Sequence, residues 1–305
     1  MHNDETVVVF GATGQQGGSV AAALLSQGWH VRAVVRDPAS TPARALAASG
    51  IETVRGDFAD AASLEAAMAG AYGVFSVQPS SGQGAAYGVT DEDEVRYGQS
   101  VVDIAVASGV QHLVYSSANA AGKQPSGVGH FDSKARVETH LHQQPVRHTI
   151  VRPSAFMEIL LTPGLGLSEG RMNFFMRPDQ TMQFIAVRDI GRVVARIFGD
   201  AARFSGRTIE LAGDAVTGND LSEKFSRAAG HAIAYQRFPD EVLSATPLLA
   251  NLARLVDEGR LAGRADIAGL VQEFQGLLTL DAWLQGYGRA AFENALQARG
   301  DLALR

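Results

Sequence analysis

The sequence contains no cysteine among its 305 residues. Disulfide bonds, thiolate metal sites and cysteine nucleophiles are therefore excluded. It also contains no apolar run of the roughly 18 residues that a membrane-spanning helix needs. The first residues, MHNDETVVVF, include neither the basic segment nor the long apolar segment of a signal peptide. These absences predict a cytoplasmic protein without a membrane segment.

Acidic residues outnumber basic residues, since the chain has 32 aspartates and glutamates and 26 lysines and arginines. The formal net charge is therefore −6. Proteins that grip a nucleic acid backbone usually present a basic face, so we expect no direct binding to DNA or RNA. His140, His142 and His148 form no recognisable metal-ligand spacing with nearby carboxylates. The sequence therefore predicts no metal site.

Hydrophobic residues make up 46% of the chain, which is enough for a sizeable core. Over the first half, short β-branched runs alternate with segments rich in alanine and leucine. The predicted strands are Thr6–Phe10, His30–Val35, Ile51–Arg55, Tyr72–Val77, Gln111–Tyr115 and Arg147–Val151, and the predicted helices are Ser19–Gln27, Pro42–Ser49, Ala61–Ala69, Asp91–Ser108 and Phe131–Gln143. This alternation predicts an α/β fold built on a doubly wound parallel sheet.

The second half of the chain is less regular. Helices are predicted at 156–161, 187–198 and 220–230, with Asn219 or Asp220 near the cap of the last. Strands are predicted at 182–185, 208–211 and 231–238, and the chain from Pro239 is predicted to be mostly helical. Core packing, rather than a substrate pocket, is the favoured role for Met172, Phe174, Phe175 and Met176. We place a domain boundary near Pro153, which separates residues 1–153 from a smaller domain at 154–305. Elements at about 182–212 are expected to return to the first sheet.

A glycine-rich turn follows the first predicted strand and opens the first predicted helix. It reads Gly11-Ala12-Thr13-Gly14-Gln15-Gln16-Gly17, with a glycine at every third position. Glycines allow a tight turn, close approach of the backbone to a pyrophosphate and close packing of the helix on the strand. Free N–H groups at the start of the helix then hold the phosphate charge. Because strand, turn and helix occur in this order, the sequence predicts a dinucleotide site rather than a ligand-free turn.

The end of the second predicted strand bears on the choice of cofactor. An acidic side chain there binds the ribose 2′-hydroxyl of NAD, whereas an arginine accommodates the 2′-phosphate of NADP. Arg36 directly follows the apolar run, and Asp37 comes next, before Pro38, in a position typical of a turn or cap. We therefore favour NADP(H), and Asp37 keeps NAD(H) as the alternative. After the third strand, Asp57 and Phe58 are candidates for accepting from the adenine amine and flanking its ring.

Segments that span nearly the whole chain carry a family resemblance: VVVFGATGQQGGSV, VRAVVRDP, GDF, VYSSA, GHFDSKARVE, VRPSAFME and TLDAWL. In these segments the sequence resembles the NmrA-like family, an atypical branch of the short-chain dehydrogenase/reductase superfamily. The resemblance implies a Rossmann domain, a smaller C-terminal domain and a cofactor in the cleft. By position, it implies that the cofactor residues are Gly11 to Gln16, Arg36, Asp57, Phe58, Gln78, Lys134 and Phe156. The chain departs from one family member at Glu158, where that member has an asparagine after the aromatic residue.

Ordinary members of this superfamily use the pattern Tyr-x-x-x-Lys, in which the tyrosine moves a proton and the lysine holds the ribose. Here the tyrosine position is His130 and the lysine is Lys134, one of only three lysines in the chain. They are the candidate catalytic residues, since positions i and i+4 share one helix face. His130 is either a proton donor or a residue at the cleft edge without a role, and we favour the second. Ser116 or Ser117 stands where the catalytic serine would.

Two functions are compatible with an intact cofactor site and a missing tyrosine. The first is a redox-sensing regulator, in which the cofactor ratio shifts the populations of two conformers and alters binding to a protein partner. The second is an NADPH-dependent reductase of quinones or other activated, apolar acceptors, which need little help from a general acid. We favour the regulator on the resemblance to the family. An oligomer is compatible with either function.

Overall fold

A computed structural model describes residues 5–83, 88–122, 124–245, 247–298 and 300 of the chain. The chain divides into two compact units. The first comprises Met1–Lys123, Gly129–Arg152 and Val187–Ile209, and the second comprises Gln124–Val128, Pro153–Ala186 and Glu210–Arg305. Each unit is therefore assembled from separate stretches of sequence. No helix in the described part of the chain is long and apolar enough to cross a membrane.

The described residues form strands and helices that alternate over the first half of the chain. The strands are β1 (Thr6–Val9), β2 (His30–Val35), β3 (Glu52–Arg55), β4 (Gly73–Ser76), β5 (His112–Ser116), β6 (His148–Pro153), β7 (Ala155–Phe156), β8 (Arg171–Phe174), β9 (Met182–Ile185), β10 (Thr208–Leu211), β11 (Asp214–Val216) and β12 (Ala234–Arg237). The helices are α1 (Gln15–Ser26), α2 (Thr41–Ala48), α3 (Ala61–Met68), α4 (Asp91–Ala107), α5 (Gly129–Leu141), α6 (Val187–Gly199), α7 (Ala201–Phe204), α8 (Gly218–Ala229), α9 (Asp240–Ser244), α10 (Pro247–Asp257), α11 (Ile267–Phe274), α12 (Leu280–Gln285) and α13 (Arg289–Ala295).

A seven-stranded sheet combines β1 to β6 with β10, which comes from later in the chain, in the order β10-β6-β5-β4-β1-β2-β3. Neighbouring strands from β6 across to β3 run parallel. The order reverses between β1 and β4, and an open parallel sheet binds its ligands beyond the carboxyl ends of the strands at such a point. The predicted α/β fold with a Rossmann-type parallel sheet is thereby confirmed.

The central strands are short and β-branched because both faces of the sheet are covered. Val7, Val8 and Val9 are completely buried, and every residue of β5 is buried. Helix α1 buries a stripe that consists of Gly17, Val20, Ala21 and Leu24. Burial of each large apolar side chain contributes about 1.5–3 kcal/mol, so this core fixes the strand ends that carry the site.

The second unit contains two small sheets. In one of them, β9 pairs antiparallel with β11 and parallel with β7, and in the other, β8 and β12 pair in parallel. Helix α8 begins with a capping box, because Thr217 Oγ1 accepts from the Asp220 N–H at 3.1 Å and the Asp220 carboxylate accepts from the Thr217 N–H at 2.8 Å. Asn219 and Asp220 therefore lie near the cap, as the sequence predicts, and the cap residue itself is Thr217. Asp220 is the third helical residue, and its carboxylate reaches back to the true cap.

Several predicted elements of the second half are corrected by long-range pairing. The helix predicted at 156–161 is instead strand β7 followed by a 3₁₀ turn over Met157–Leu161, because Phe156 pairs with Ile185 of β9. The strand predicted at 231–238 is confined to β12. Strands β8 and β11 were not anticipated. The core role expected for the apolar group is confirmed, since all four side chains are buried: Met172, Phe174, Phe175 and Met176.

Candidate functional site

The glycine turn lies directly after β1, at the point where the sheet order reverses. Gly11 has a φ of +64°, and the Gly14 N–H donates to the Gly11 carbonyl oxygen at 2.8 Å. A Cβ added to Gly17 would lie 2.3 Å from that same oxygen, and one added to Gly11 would lie 2.9 Å from Val77 Cγ1, just beyond β4. The turn therefore packs backbone against backbone, and only glycine fits at its first and last positions.

The amino end of α1 offers free backbone donors. Its cap residue, Gly14, supplies no side-chain hydrogen bond, and the first turn contains no acidic residue. Thr13, Gly14 and Gln15 are exposed, whereas Ala12 is buried beneath them. The orphan N–H groups and the helix dipole can therefore receive an anionic group at this end.

At the end of β2, Arg36 and Asp37 have different environments. Arg36 is exposed, and its guanidinium has no hydrogen-bond or ion-pair partner within the described ranges. The Asp37 carboxylate accepts from the Ala39 N–H at 2.9 Å, and the Asp37 carbonyl accepts from Ser40 Oγ at 2.7 Å. Asp37 is thus engaged in its own turn, as the sequence indicated, and Arg36 remains available to an outside group.

The end of β3 carries the two residues predicted to hold an adenine. Asp57 is exposed, and its Oδ1 accepts from the Ala59 N–H at 2.9 Å. Phe58 is half-buried, with its ring centroid 5.3 Å from the ring of Phe10 and 5.3 Å from the ring of Tyr97. These contacts fix the Phe58 ring against the core, so only part of its surface is left for a ligand.

The carboxyl ends of β4 and β5 place polar side chains beside the glycine turn. Ser116 Oγ donates to Gln16 Oε1 at 2.7 Å, which ties β5 to the start of α1. The Ser117 hydroxyl is buried and has no partner in the described part of the chain. Gln78 is buried, and its Nε2 donates to Ser76 Oγ at 2.8 Å. Of the two serines considered for a catalytic position, Ser116 is therefore the one held at the turn.

Lys134 is not a solvated helix lysine, because its ammonium is paired with the Glu94 carboxylate of α4. The Lys134 side chain is 13% exposed and that of Glu94 is 1% exposed. The second carboxylate oxygen of Glu94 accepts from Ser133 Oγ at 2.7 Å. The sequence reasoning missed Glu94, because it lies in the acidic run DEDE, which also suits the exposed start of a helix.

His130, at the amino end of α5, is neutral near pH 7. Burial and, to a smaller extent, the positive charge of Lys134 lower its pKa from 6.5 to about 4, against the opposing effects of Asp91 and Asp132. A Cβ added to Gly82 would lie 2.9 Å from the ring, so the imidazole packs closely against the residues after β4. A neutral imidazole in this position is a poor proton donor.

Phe156 and Glu158 belong to the second unit. Phe156 is half-buried in β7, opposite Ile185, and Glu158 lies in the 3₁₀ turn that follows. In the first unit, the glycine turn, Arg36 and Gln78 follow the carboxyl ends of β1, β2 and β4, and Lys134 lies in α5, the helix that follows β5. No three metal-ligating side chains lie close enough to hold a metal ion anywhere in the ranges that are described.

The model of the NmrA-like family matches residues 3–270. This chain belongs to the NmrA-like family. The NmrA-like family domain-containing oxidoreductase malD of Malbranchea aurantiaca is 30% identical to it over 252 residues, which are 76% of this chain and 75% of malD. The corresponding oxidoreductase himF of Aspergillus japonicus is 30% identical over 249 residues, which are 74% of this chain and 73% of himF. The resemblance carried by the sequence motifs is therefore confirmed.

Solved structures of NmrA-like and related proteins share the fold. A structure of NmrA, a negative transcriptional regulator, in complex with NADP has a TM-score of 0.77 at 20% identity, and the match covers 96% of this chain and 98% of that one. The NADPH-dependent quinone oxidoreductase QOR2 of Escherichia coli, complexed with NADPH, has a TM-score of 0.75 at 24% identity, with coverages of 92% and 99%. This NmrA-like chain therefore has the fold of both a regulator and a reductase.

Proposed function

We propose that this NmrA-like protein binds NADP(H) at the carboxyl ends of β1 and β2. The observation that carries the proposal is the contrast between two neighbours: Arg36 is exposed and unpartnered within the described ranges, while Asp37 is engaged in its own turn. A planar guanidinium suits the 2′-phosphate, and an acidic side chain at this place would instead suit the free 2′-hydroxyl of NAD. The complexes of NmrA with NADP and of QOR2 with NADPH support this choice.

The residues of the first unit fit such a cofactor. A pyrophosphate at the glycine turn needs close approach to the backbone, and the missing side chains at Gly11, Gly14 and Gly17 with the uncapped start of α1 provide it. The remaining roles follow the family pattern and are part of the proposal. Asp57 and Phe58 would hold the adenine, and Gln78 and Lys134 would hold the rest of the cofactor on the side of the first unit.

When bound, NADPH supplies a hydride. The chain's own residues supply little acid to accompany it, because His130 takes the place of the tyrosine and is neutral near pH 7. The Lys134 ammonium is engaged with Glu94 rather than with a tyrosine. We therefore infer that the protein is a redox-sensing regulator, in which NADPH and NADP⁺ stabilise different conformers and so change the affinity for a protein partner.

A second candidate is an NADPH-dependent reductase of quinones or other activated, apolar acceptors. The names of malD and himF, both oxidoreductases at 30% identity, favour it. Such acceptors need no strong general acid, so the missing tyrosine is not an obstacle. In this reading, the proton that accompanies the hydride comes from the Lys134 ammonium, because His130 is neutral near pH 7.

One preparation of the protein can separate the two candidates. We would measure the Kd of NADPH, NADP⁺ and NADH, and the consumption of NADPH with a panel of quinones and enones. Different affinities for NADPH and NADP⁺ without turnover support the regulator, whereas equal affinities contradict it, because a ligand shifts populations only by differential binding. Turnover that collapses in Lys134→Ala but survives in Lys224→Ala, which removes a lysine paired with Asp281, establishes the reductase. Failure to bind either form of NADP overturns the whole proposal.

A further inference from the structure

Helix α4 carries a buried carboxylate, that of Glu94. It is 1% exposed, and its two oxygens accept from Ser133 Oγ and from the Lys134 ammonium. Removing a carboxylate and an ammonium from water costs several kcal/mol each, so a buried pair adds little net stability. Replacement of such a pair by apolar side chains is often neutral or stabilising. A gain in the stability of the folded protein therefore does not explain why a glutamate occupies position 94.

Glu94 is also not needed to hold α4 against α5, because other contacts join the two helices. Two residues earlier on α4, Glu92 makes an ion pair with Arg136 of α5, with one contact at 2.9 Å. That pair is on the surface, where the two side chains are 75% and 52% exposed. The two helices also pack closely, since a Cβ added to Gly98 would lie 2.6 Å from Val137 Cγ2. Glu94 differs from Glu92 in its partner, because it makes an ion pair with Lys134, the one lysine of α5.

We propose that Glu94 is a positioning residue that holds the Lys134 ammonium and offsets its charge, and that this pair sets the relative affinity of the site for NADP⁺ and NADPH. The inference rests on the proposed function, which puts Lys134 at the cofactor. The nicotinamide ring carries one more positive charge in NADP⁺ than in NADPH. An unpaired ammonium beside the cofactor would therefore disfavour the oxidised form, and an unpaired carboxylate would favour it.

The pair makes two opposite predictions. Glu94→Gln leaves the Lys134 charge without its counterion, and should raise the ratio of the Kd for NADP⁺ to the Kd for NADPH by about three- to tenfold. Lys134→Met leaves the Glu94 carboxylate without its counterion, and should lower the same ratio by a similar factor. The double variant should return the ratio close to that of the unaltered protein. Any hydrogen bond to the ribose that Lys134→Met removes is lost for both cofactor forms, so it cancels in the ratio.

The experiment is a titration of the full chain with NADPH and with NADP⁺, followed by isothermal calorimetry, which measures binding and not activity. Glu92→Gln is the matched control, because it removes the same charge from α4 and breaks an ion pair to α5 at the surface. It should leave the ratio unchanged. If Glu94→Gln does not fold, the comparison of Lys134→Met with the double variant still isolates the carboxylate, because only the first of these retains Glu94.

The outcomes separate the inference from the function on which it rests. An unaltered protein that binds both forms, with single variants that leave the ratio unchanged, overturns the role of Glu94 and leaves the proposed function standing. Equal weakening of both forms in Glu94→Gln also overturns it, since a purely structural role acts on both alike. A shift of the same size in Glu92→Gln overturns it as well. An unaltered protein that binds neither form overturns the proposed function and the inference together.

Discussion

The carbonyl oxygen of Gly11 lies 2.3 Å from the place where a Cβ on Gly17 would stand. The helix that follows the glycine turn is therefore seated directly on the backbone of the turn. Real side-chain carbons do not approach an oxygen this closely, so any residue larger than glycine must push the start of α1 away from β1. This one contact links the packing of the core to the positions of the N–H groups that the proposed cofactor needs.

Gly17→Ala should damage both stability and binding. The added methyl group overpacks the turn, and we expect it to lower the free energy of unfolding by about 1–3 kcal/mol. Displaced N–H groups should weaken NADPH binding by about tenfold or more, a loss of about 1.4 kcal/mol or more. Denaturant titration and calorimetry measure the two effects. Gly199→Ala is the control, because a Cβ added at Gly199 would have no atom within 4 Å. Unchanged NADPH binding in Gly17→Ala would contradict the placement of the pyrophosphate at the glycine turn.

Arg36→Ala should change the choice between NADPH and NADH. A charge-assisted hydrogen bond contributes about 1.5–3 kcal/mol, so loss of the guanidinium should weaken NADPH by about tenfold or more and leave NADH nearly unaffected. The measurement is the Kd of each dinucleotide under the same conditions. Arg289→Ala, at an exposed residue of α13 paired with Glu293, should change neither value. Equal losses for both dinucleotides would show that Arg36 does not read the 2′-phosphate.

The sequence predicts the first half of the fold well because its signals are local. The bounds of β2 agree with the prediction to the residue, and the glycine turn, Arg36 and Asp37 lie where the pattern placed them. Strand β7 could not be predicted, because Phe156 is held by β9, almost thirty positions further along by sequence numbering. Glu94 was missed for a related reason. An acidic run at the start of a helix is typical of residues that are exposed to solvent. Glu94 is buried because α5 packs against it, and this long-range contact leaves no signal in the local sequence.

Tyr115→Phe should not destabilise the protein. Tyr115 is fully buried, and its hydroxyl has no hydrogen-bond partner among the described residues. Burial, with the negative charges of Glu94 and Glu138, raises the pKa of this phenol well above its usual value, so the group stays protonated. A buried hydroxyl without a partner is unfavourable, and its removal should raise the free energy of unfolding by about 1 kcal/mol or leave it unchanged.

The matched variant for this test is Tyr235→Phe. The hydroxyl of Tyr235 donates to the Met176 carbonyl oxygen at 2.6 Å, so its loss should cost about 0.5–1.5 kcal/mol. Denaturant unfolding of both variants gives the comparison. A loss at Tyr115 as large as that at Tyr235 would contradict the prediction, because it would mean that the Tyr115 hydroxyl has a partner in solution.

Stability should fall in mild acid because of His112. This side chain is fully buried, its Nε2 lies 2.9 Å from Thr149 Oγ1, and its Nδ1 has no partner within the described ranges. Burial, with smaller effects from His148 and Arg147, lowers its pKa from 6.5 to about 4. The unfolded chain therefore binds a proton below about pH 6.5 that the folded chain refuses until about pH 4, so the unfolding free energy declines across this window as pH falls.

The contribution of this one histidine between about pH 7 and pH 5 should be about 1–2 kcal/mol. Denaturant titrations at the two pH values give the stability that the unaltered protein and His112→Gln each lose on acidification. The difference between these two losses is the contribution of His112. The glutamine has no charge to gain in the unfolded state, so the variant should lose that much less stability on acidification. His231→Gln, at an exposed histidine of the second unit, should keep the full loss. If His112→Gln loses as much stability in acid as the unaltered protein, the buried neutral state of His112 is not what limits its acid stability.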